Sequence, residues 1–176
     1  MSIFLKTHSL NHVECSILCV QTLLNILKHN VIFKDVYREV GMLEVFVTCL
    51  NRYANFLKEK KSKQDNGRDY VIPLGQEKLG GLIVEAITLL LAGNTANANV
   101  LRECGGAKCV QELVQHAECR YAALGIIKEL VLTTGGDDDM AQLLSTLHSA
   151  PRIALQLKID ILEALRLCLK ESHRTR

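Results

Sequence analysis

Apolar residues recur at three- and four-residue spacing along most of this chain, the period of helices that bury one stripe. Val13, Ile17, Val20, Leu23, Leu24 and Leu27 mark the first stripe, on a helix that Ser9 or Asn11 can cap and that runs to about residue 28. The pattern then predicts a short helix over about 33–40, stopped by Gly41, and a longer one over about 42–57. From 58 to about 75 the apolar period fails, five basic residues alternate with polar ones, and Pro73 forbids a continuous helix, so an exposed loop is expected. Helical spacing returns over 76–92 despite Gly80 and Gly81, then over 95–104 and over about 107–117. A further amphipathic stretch, 120–133, ends at Gly135 and Gly136. Asp137, Asp138 and Asp139 open the helix that continues over 140–149, and Pro151 separates it from a last helix over about 152–170.

One block of this pattern occurs twice. Val36-Tyr37-Arg38-Glu39-Val40-Gly41 is echoed by Val100-Leu101-Arg102-Glu103-Cys104-Gly105 in the same register. Upstream, Leu23, Ile26, Leu27 and Asn30 fall on Ile87, Leu90, Leu91 and Asn94; downstream, Leu43, Phe46, Cys49 and Leu50 fall on Ala107, Val110, Leu113 and Val114. A polar-capped helix, a short helix ending in Arg-Glu-x-Gly and a third amphipathic helix make up the unit of armadillo-type arrays, whose period is about 40–47 residues. The expected fold is therefore an all-α, armadillo/HEAT-like right-handed superhelical solenoid. Its units are expected at about 1–57, 76–118, 119–150 and 151–176, with 58–75 as an insertion, and at Gly41 and Gly105 as structural helix terminators. The last helix is apolar nearly all round, which calls for neighbours on more than one side, and the chain stops where the next short helix would begin.

Composition narrows the class further. Hydrophobic residues make up 48% of the 176, but aromatics only 5%, and Trp is absent, which favours aliphatic helix-on-helix packing over a β-sandwich. A net charge of +2 from 21 basic and 19 acidic residues supplies no global attraction for nucleic acid or an anionic membrane, so no nucleic-acid partner is expected. Seven cysteines at irregular spacing do not form a disulfide framework and favour a reducing compartment. No signal peptide is apparent, and the most apolar run, 82–92, is broken by Glu85 and too short for a bilayer. The expected location is cytoplasmic.

Residues with reactive chemistry are present without the spacing that chemistry requires. His8, His12, Cys15 and Cys19 lie on one side of the first helix, but His8 and Cys19 are about 16 Å apart along its axis and cannot share a tetrahedral ion. Cys15 and Cys19 are expected in the core and the histidines in solvent. Of Cys104, Cys109, His116 and Cys119, the first two flank a helix break, and the spacing of the four matches no ligand framework. The acidic triplet 137–139 is expected to complement the positive end of a helix dipole rather than bind a metal. No nucleophile motif or phosphate loop stands beside any candidate group, so no catalytic residue, metal or cofactor is expected, and the chain is expected not to be an enzyme.

Two features remain as candidate partner-binding positions. Lys58, Lys60, Lys61, Lys63 and Arg68 form a basic run, diluted by Glu59, Asp65 and Asp69, that could meet an acidic partner or a membrane surface. Asn25, in Leu-Leu-Asn-Ile, fits the asparagine with which peptide-binding armadillo arrays hold an extended backbone. The equivalent places downstream are Leu89, Glu129 and Leu167, so that ladder is not kept.

Several strings point beyond the repeat pattern. IFKDVYREVGMLEV (32–45), RECGGAKC (102–109), GDDDM (136–140), LHSAP (147–151), LQLKIDILEAL (155–165) and ESHRTR (171–176) resemble the armadillo-like region of the Alfy-like BEACH family, very large proteins with WD repeats and a FYVE domain. The resemblance runs from about Val13 to the end and implies a cytosolic scaffold of selective autophagy or endosomal membrane traffic. Its partners would be other proteins and neighbouring repeats, with membrane association through parts outside these 176 residues. No functional residue of the family maps onto this chain.

Overall fold

The computed structural model describes the backbone over 2–174 and side chains over 12–171. All regular structure among these residues is helical: α1 (Ser2–His29), α2 (Phe33–Glu39), α3 (Met42–Asp65), α4 (Gln76–Leu91), α5 (Thr95–Glu103), α6 (Gly106–Leu113), α7 (Arg120–Thr134), α8 (Asp137–Ser149) and α9 (Leu155–Arg174). The chain is thus all-α, as its periodicity and low aromatic content lead one to expect. It forms two compact units, 1–89 and 90–176.

In the first unit the buried stripe of α1 is Ile17, Val20, Leu24 and Leu27, with Val13 and Leu23 at its margin. α1 begins at Ser2, well before the cap expected at Ser9 or Asn11; the side chains of both lie outside the described residues. Tyr37, the buried residue of α2, donates its hydroxyl to the Leu23 carbonyl (3.3 Å) and so pins the short helix to the long one. α3 buries Leu43, Phe46, Val47, Leu50, Tyr53, Ala54 and Leu57, a continuous three-and-four spaced stripe. It then continues two turns beyond the expected end, through Asp65. Lys, Glu and Gln are good helix formers, and Glu59 and Lys63 pair one turn apart (2.9 Å), so these turns hold without an apolar stripe. The expected loop 58–75 is therefore a helical end followed by a connection over 66–75, in which Ile72 is buried.

The two Arg-Glu-x-Gly strings fold alike. Val40 N–H reaches Val36 O (3.1 Å) and Gly41 N–H reaches Arg38 O (3.1 Å); Cys104 reaches Val100 O (3.0 Å) and Gly105 reaches Arg102 O (3.0 Å). Gly41 and Gly105 have φ of 74° and 78°, the left-handed conformation that lets a short helix stop and the next start at once. The polar caps differ. Asn94 Oδ1 accepts from Asn97 N–H (2.9 Å), an N-cap bond, whereas Asn30 Oδ1 accepts from Ile32 N–H (3.0 Å) one residue short of that geometry.

In the second unit each helix packs on its neighbours in sequence, with α7 touching α5, α6, α8 and α9. Its stripe of Ala123, Ile126, Ile127 and Leu130 is fully covered. α6 ends at Leu113, short of the expected 117, and α9 starts at Leu155 rather than near 152, because Pro151 to Ala154 forms a turn closed by Ala154 N–H on Pro151 O (3.0 Å).

Gly80 and Gly81 sit inside α4 for different reasons. A Cβ on Gly80 would lie 2.5 Å from the buried Tyr53 ring, while one on Gly81 would meet nothing within 4 Å. Gly81→Ala should therefore stabilise the protein by up to about 1 kcal/mol through helix propensity. Gly80→Ala should destabilise it by about 1–3 kcal/mol through overpacking. Urea unfolding of both variants checks this, and equal effects would mean that α3 and α4 do not approach through Gly80.

Candidate partner-binding surface

The basic run is not one array of equivalent cations. Lys58 and Lys61 lie exposed on the last turns of α3, and Arg68 is exposed in the turn after Gly67, its N–H held by Lys63 O (2.8 Å). Lys60 pairs with Glu77 at the start of α4 (3.5 Å). Lys63 pairs with Glu59 and lies 4.3 Å over the Tyr70 ring, while the Tyr70 hydroxyl donates to the second Glu59 oxygen (3.0 Å). Glu59, Lys63 and Tyr70 thus fold the start of the 66–75 connection back on α3. Hydrogen bonds from Lys63 and then Tyr70 hold the Glu59 carboxyl below its ordinary range, and desolvation followed by the bond to Glu59 raises Tyr70. Asn25 is exposed on α1; its counterparts Leu89, Glu129 and Leu167 are half-buried.

Several polar contacts that organise the second unit were not legible in the sequence. Asp139 is buried, and its carboxylate accepts from Arg102 Nη2, whose Nε donates to Thr134 (2.9 Å). The third aspartate of the triplet is therefore the partner of the repeat arginine and joins α5 to the α7–α8 junction, a role beyond the expected dipole contact. Removing Arg102 would leave a buried carboxylate uncompensated. Arg120 donates from Nε to Val114 O (2.9 Å), satisfying a carbonyl at the end of α6, and from Nη1 to Asp160 of α9 (3.2 Å). Asn97, fully buried, donates to Leu90 O (2.9 Å) at the end of α4. The recurrence of Arg in Arg-Glu-x-Gly was the available signal for the first contact, but Arg38 pairs instead with Asp35 on its own helix (2.6 Å), so the string alone does not fix the partner.

The cysteines divide by position. Cys15 and Cys19 are exposed, not core as expected, because the buried stripe of α1 takes Ile17 and Val20 and leaves both thiols on another face; His12 is exposed beside them, and the His8 side chain lies outside the described residues. Cys109, Cys119 and Cys168 are buried. Burial pushes the Cys119 thiol up to about 11, and its Sγ lies 3.5 Å from Leu113 O as a donor. Among the described residues, no three His, Cys, Asp or Glu side chains are placed to hold a metal ion, and no helix is long and apolar enough to cross a membrane.

The chain is similar to WD repeat- and FYVE domain-containing protein 4 of Homo sapiens, 24% identical over 152 residues, which is 86% of this chain and 5% of that protein. The Mus musculus protein of the same name is 23% identical over 155 residues, 88% of this chain and 5% of the relative. This supports a distant relationship to WD-repeat and FYVE-domain proteins, of whose length the chain spans about a twentieth. No protein-family model and no solved structure matches it.

The Glu59 cluster yields a pH test. Because its folded value is lowered, the Glu59 contribution is present above the unfolded value and lost as pH falls through the folded one; the raised Tyr70 contributes below its unfolded value and loses this as pH rises through its folded one. In Tyr70→Phe, the Glu59 carboxyl should titrate at a higher pH than in the wild type, read by NMR of the side chain. An unmoved midpoint would show that the hydroxyl contact does not form.

Proposed function

We propose that this chain is a non-enzymatic, armadillo-type interaction and spacer segment of a large scaffold of the Alfy-like BEACH kind, serving selective autophagy or endosomal membrane traffic in the cytoplasm. The observation that carries the reading is the similarity to a WD-repeat and FYVE-domain protein over 86% of the chain but only 5% of that relative, as a helical segment embedded in a long multidomain protein would give. The repeated left-handed glycine turn supports it, since it builds stacked helices that present continuous surface and little concave chemistry. Protein partners would then meet exposed helix faces, Asn25 on α1 among them, and membranes would be engaged by other parts of such a scaffold.

The competing reading, binding of a membrane or acidic partner through 58–68, is weakened by the chain's own acids at Lys60 and Lys63. Flotation with vesicles containing phosphatidylserine and phosphatidylinositol 3-phosphate separates the two. The scaffold reading expects the chain to stay with the soluble fraction at low and at physiological salt. Salt-sensitive flotation that is lost in Lys58→Glu/Lys61→Glu would replace it with the membrane-surface reading.

A further inference from the structure

Free cysteine is among the most buried of residue types, because its side chain is small and a core takes it readily. α1 departs from that rule. Its core stripe is complete with Ile17, Val20, Leu24 and Leu27, and Cys15 and Cys19 both stand exposed, one turn apart on the same side of the helix. Of the seven cysteines only these two are exposed: Cys109, Cys119 and Cys168 are buried, and Cys49 and Cys104 are half-buried.

Their spacing sorts the chemistry open to them. Residues four apart on an α-helix have Cβ atoms about 5–6 Å from each other. A disulfide requires about 3.5–4.5 Å, so the two sulfurs do not bond directly while α1 keeps its turns through this stretch. An ion between them removes the conflict. With each sulfur about 2.3 Å from the metal, the zinc–thiolate length, the two sulfurs stand up to about 4.6 Å apart, a span that suits the Cβ separation. The surroundings then select the ion. One turn from either cysteine stand Asn11, His12, Ser16, Leu18, Thr22 and Leu23, with no carboxylate among them. The Ser16 and Thr22 hydroxyls donate back to the His12 and Leu18 carbonyls of their own helix (both 2.9 Å), and Leu18, 63% exposed, adds an apolar neighbour. Among the described residues no third His, Cys, Asp or Glu joins a metal-holding group here. Calcium and magnesium need oxygen ligands and structural zinc needs four donors, whereas cuprous ion takes soft sulfur and is satisfied by two.

We propose that Cys15 and Cys19 form a two-coordinate dithiolate site for cuprous ion on the outer side of α1. Binding forms two Cu–S bonds and releases the two thiol protons to solvent; copper enters and stays as Cu(I), so no electron is transferred. The distance along the helix that keeps His8 and Cys19 from sharing a tetrahedral ion does not bear on this site, which uses neither histidine. Bound copper ties consecutive turns of α1 together and leaves the core stripe untouched. The inference stands on exposure, helix register and ligand softness, independently of the scaffold role.

Anaerobic titration of the full, reduced chain with cuprous ion against the chromophoric chelator bicinchoninate tests it. The wild type should withdraw one equivalent of copper and remain a monomer in sedimentation. Cys15→Ser and Cys19→Ser, exposed positions at which helicity is checked by circular dichroism, should each weaken binding at least about a hundredfold, since one thiolate loses the advantage of the second held beside it. Thr22→Cys combined with Cys19→Ser restores the number of exposed thiols but sets them seven residues, about 10.5 Å, apart along the axis, and should not restore affinity. Four results would overturn the proposal: a wild type that holds copper no better than Cys15→Ser/Cys19→Ser, single variants that bind as the wild type does, full recovery in Thr22→Cys/Cys19→Ser, or a copper-linked dimer in which the two thiolates come from different molecules.

Discussion

A left-handed glycine between two helices is the constraint on which the repeat depends. At Gly41 and at Gly105 the preceding short helix closes on the same two carbonyl positions, and the next helix begins one residue later. That conformation turns the chain sharply enough for the next helix to start at Met42 and at Gly106. Tyr37 can then reach the Leu23 carbonyl in the first repeat, and Leu101 is fully buried in the second. A Cβ on Gly105 would touch nothing within 4 Å, so the requirement there concerns backbone conformation and not space.

Polar contacts at helix ends complete what the glycine turns begin. Asn97 takes the Leu90 carbonyl near the end of α4, Arg120 takes Val114 O at the end of α6, and Arg102 reaches both Thr134 and Asp139 where α7 gives way to α8. Each joins a helix terminus, where backbone groups lack intrahelical partners, to a side chain from another element. In a core made almost wholly of aliphatic residues, these directional bonds fix register where Leu, Ile and Val alone tolerate sliding. Burial keeps the Cys119 thiol protonated, and the buried carboxylate of Asp139 is matched by Arg102.

What the sequence made legible, and what it hid, follows from the range of the interactions concerned. Helix existence and order were readable because apolar spacing is local, and the two glycine turns were readable because one string carried them twice. The end of α3 was misplaced because charged residues without an apolar period look like a loop, although Lys, Glu and Gln propagate a helix and Glu59 with Lys63 supports it. Cys15 and Cys19 were misplaced because a stripe of Ile and Val outcompetes them for the core. Asp139 and Arg102 were hidden because their pairing spans two helix boundaries, and the same arginine in the first repeat chooses a partner on its own helix. Of the candidate surface, the basic residues were legible as residues, but the Lys60–Glu77 and Lys63–Glu59 pairs within the run were not.

The central claim, that one left-handed glycine turn sets both repeats, is tested most directly by chirality at Gly105. Chains assembled by ligation with glycine, L-alanine or D-alanine at that position differ in one methyl group, and that of L-alanine would meet no neighbour within 4 Å. D-alanine prefers positive φ, so this account predicts that its chain is at least as stable to urea as the glycine chain, and that the L-alanine chain is about 1 kcal/mol less stable. Equal stability of the two alanine chains, or greater stability of the L form, would contradict it.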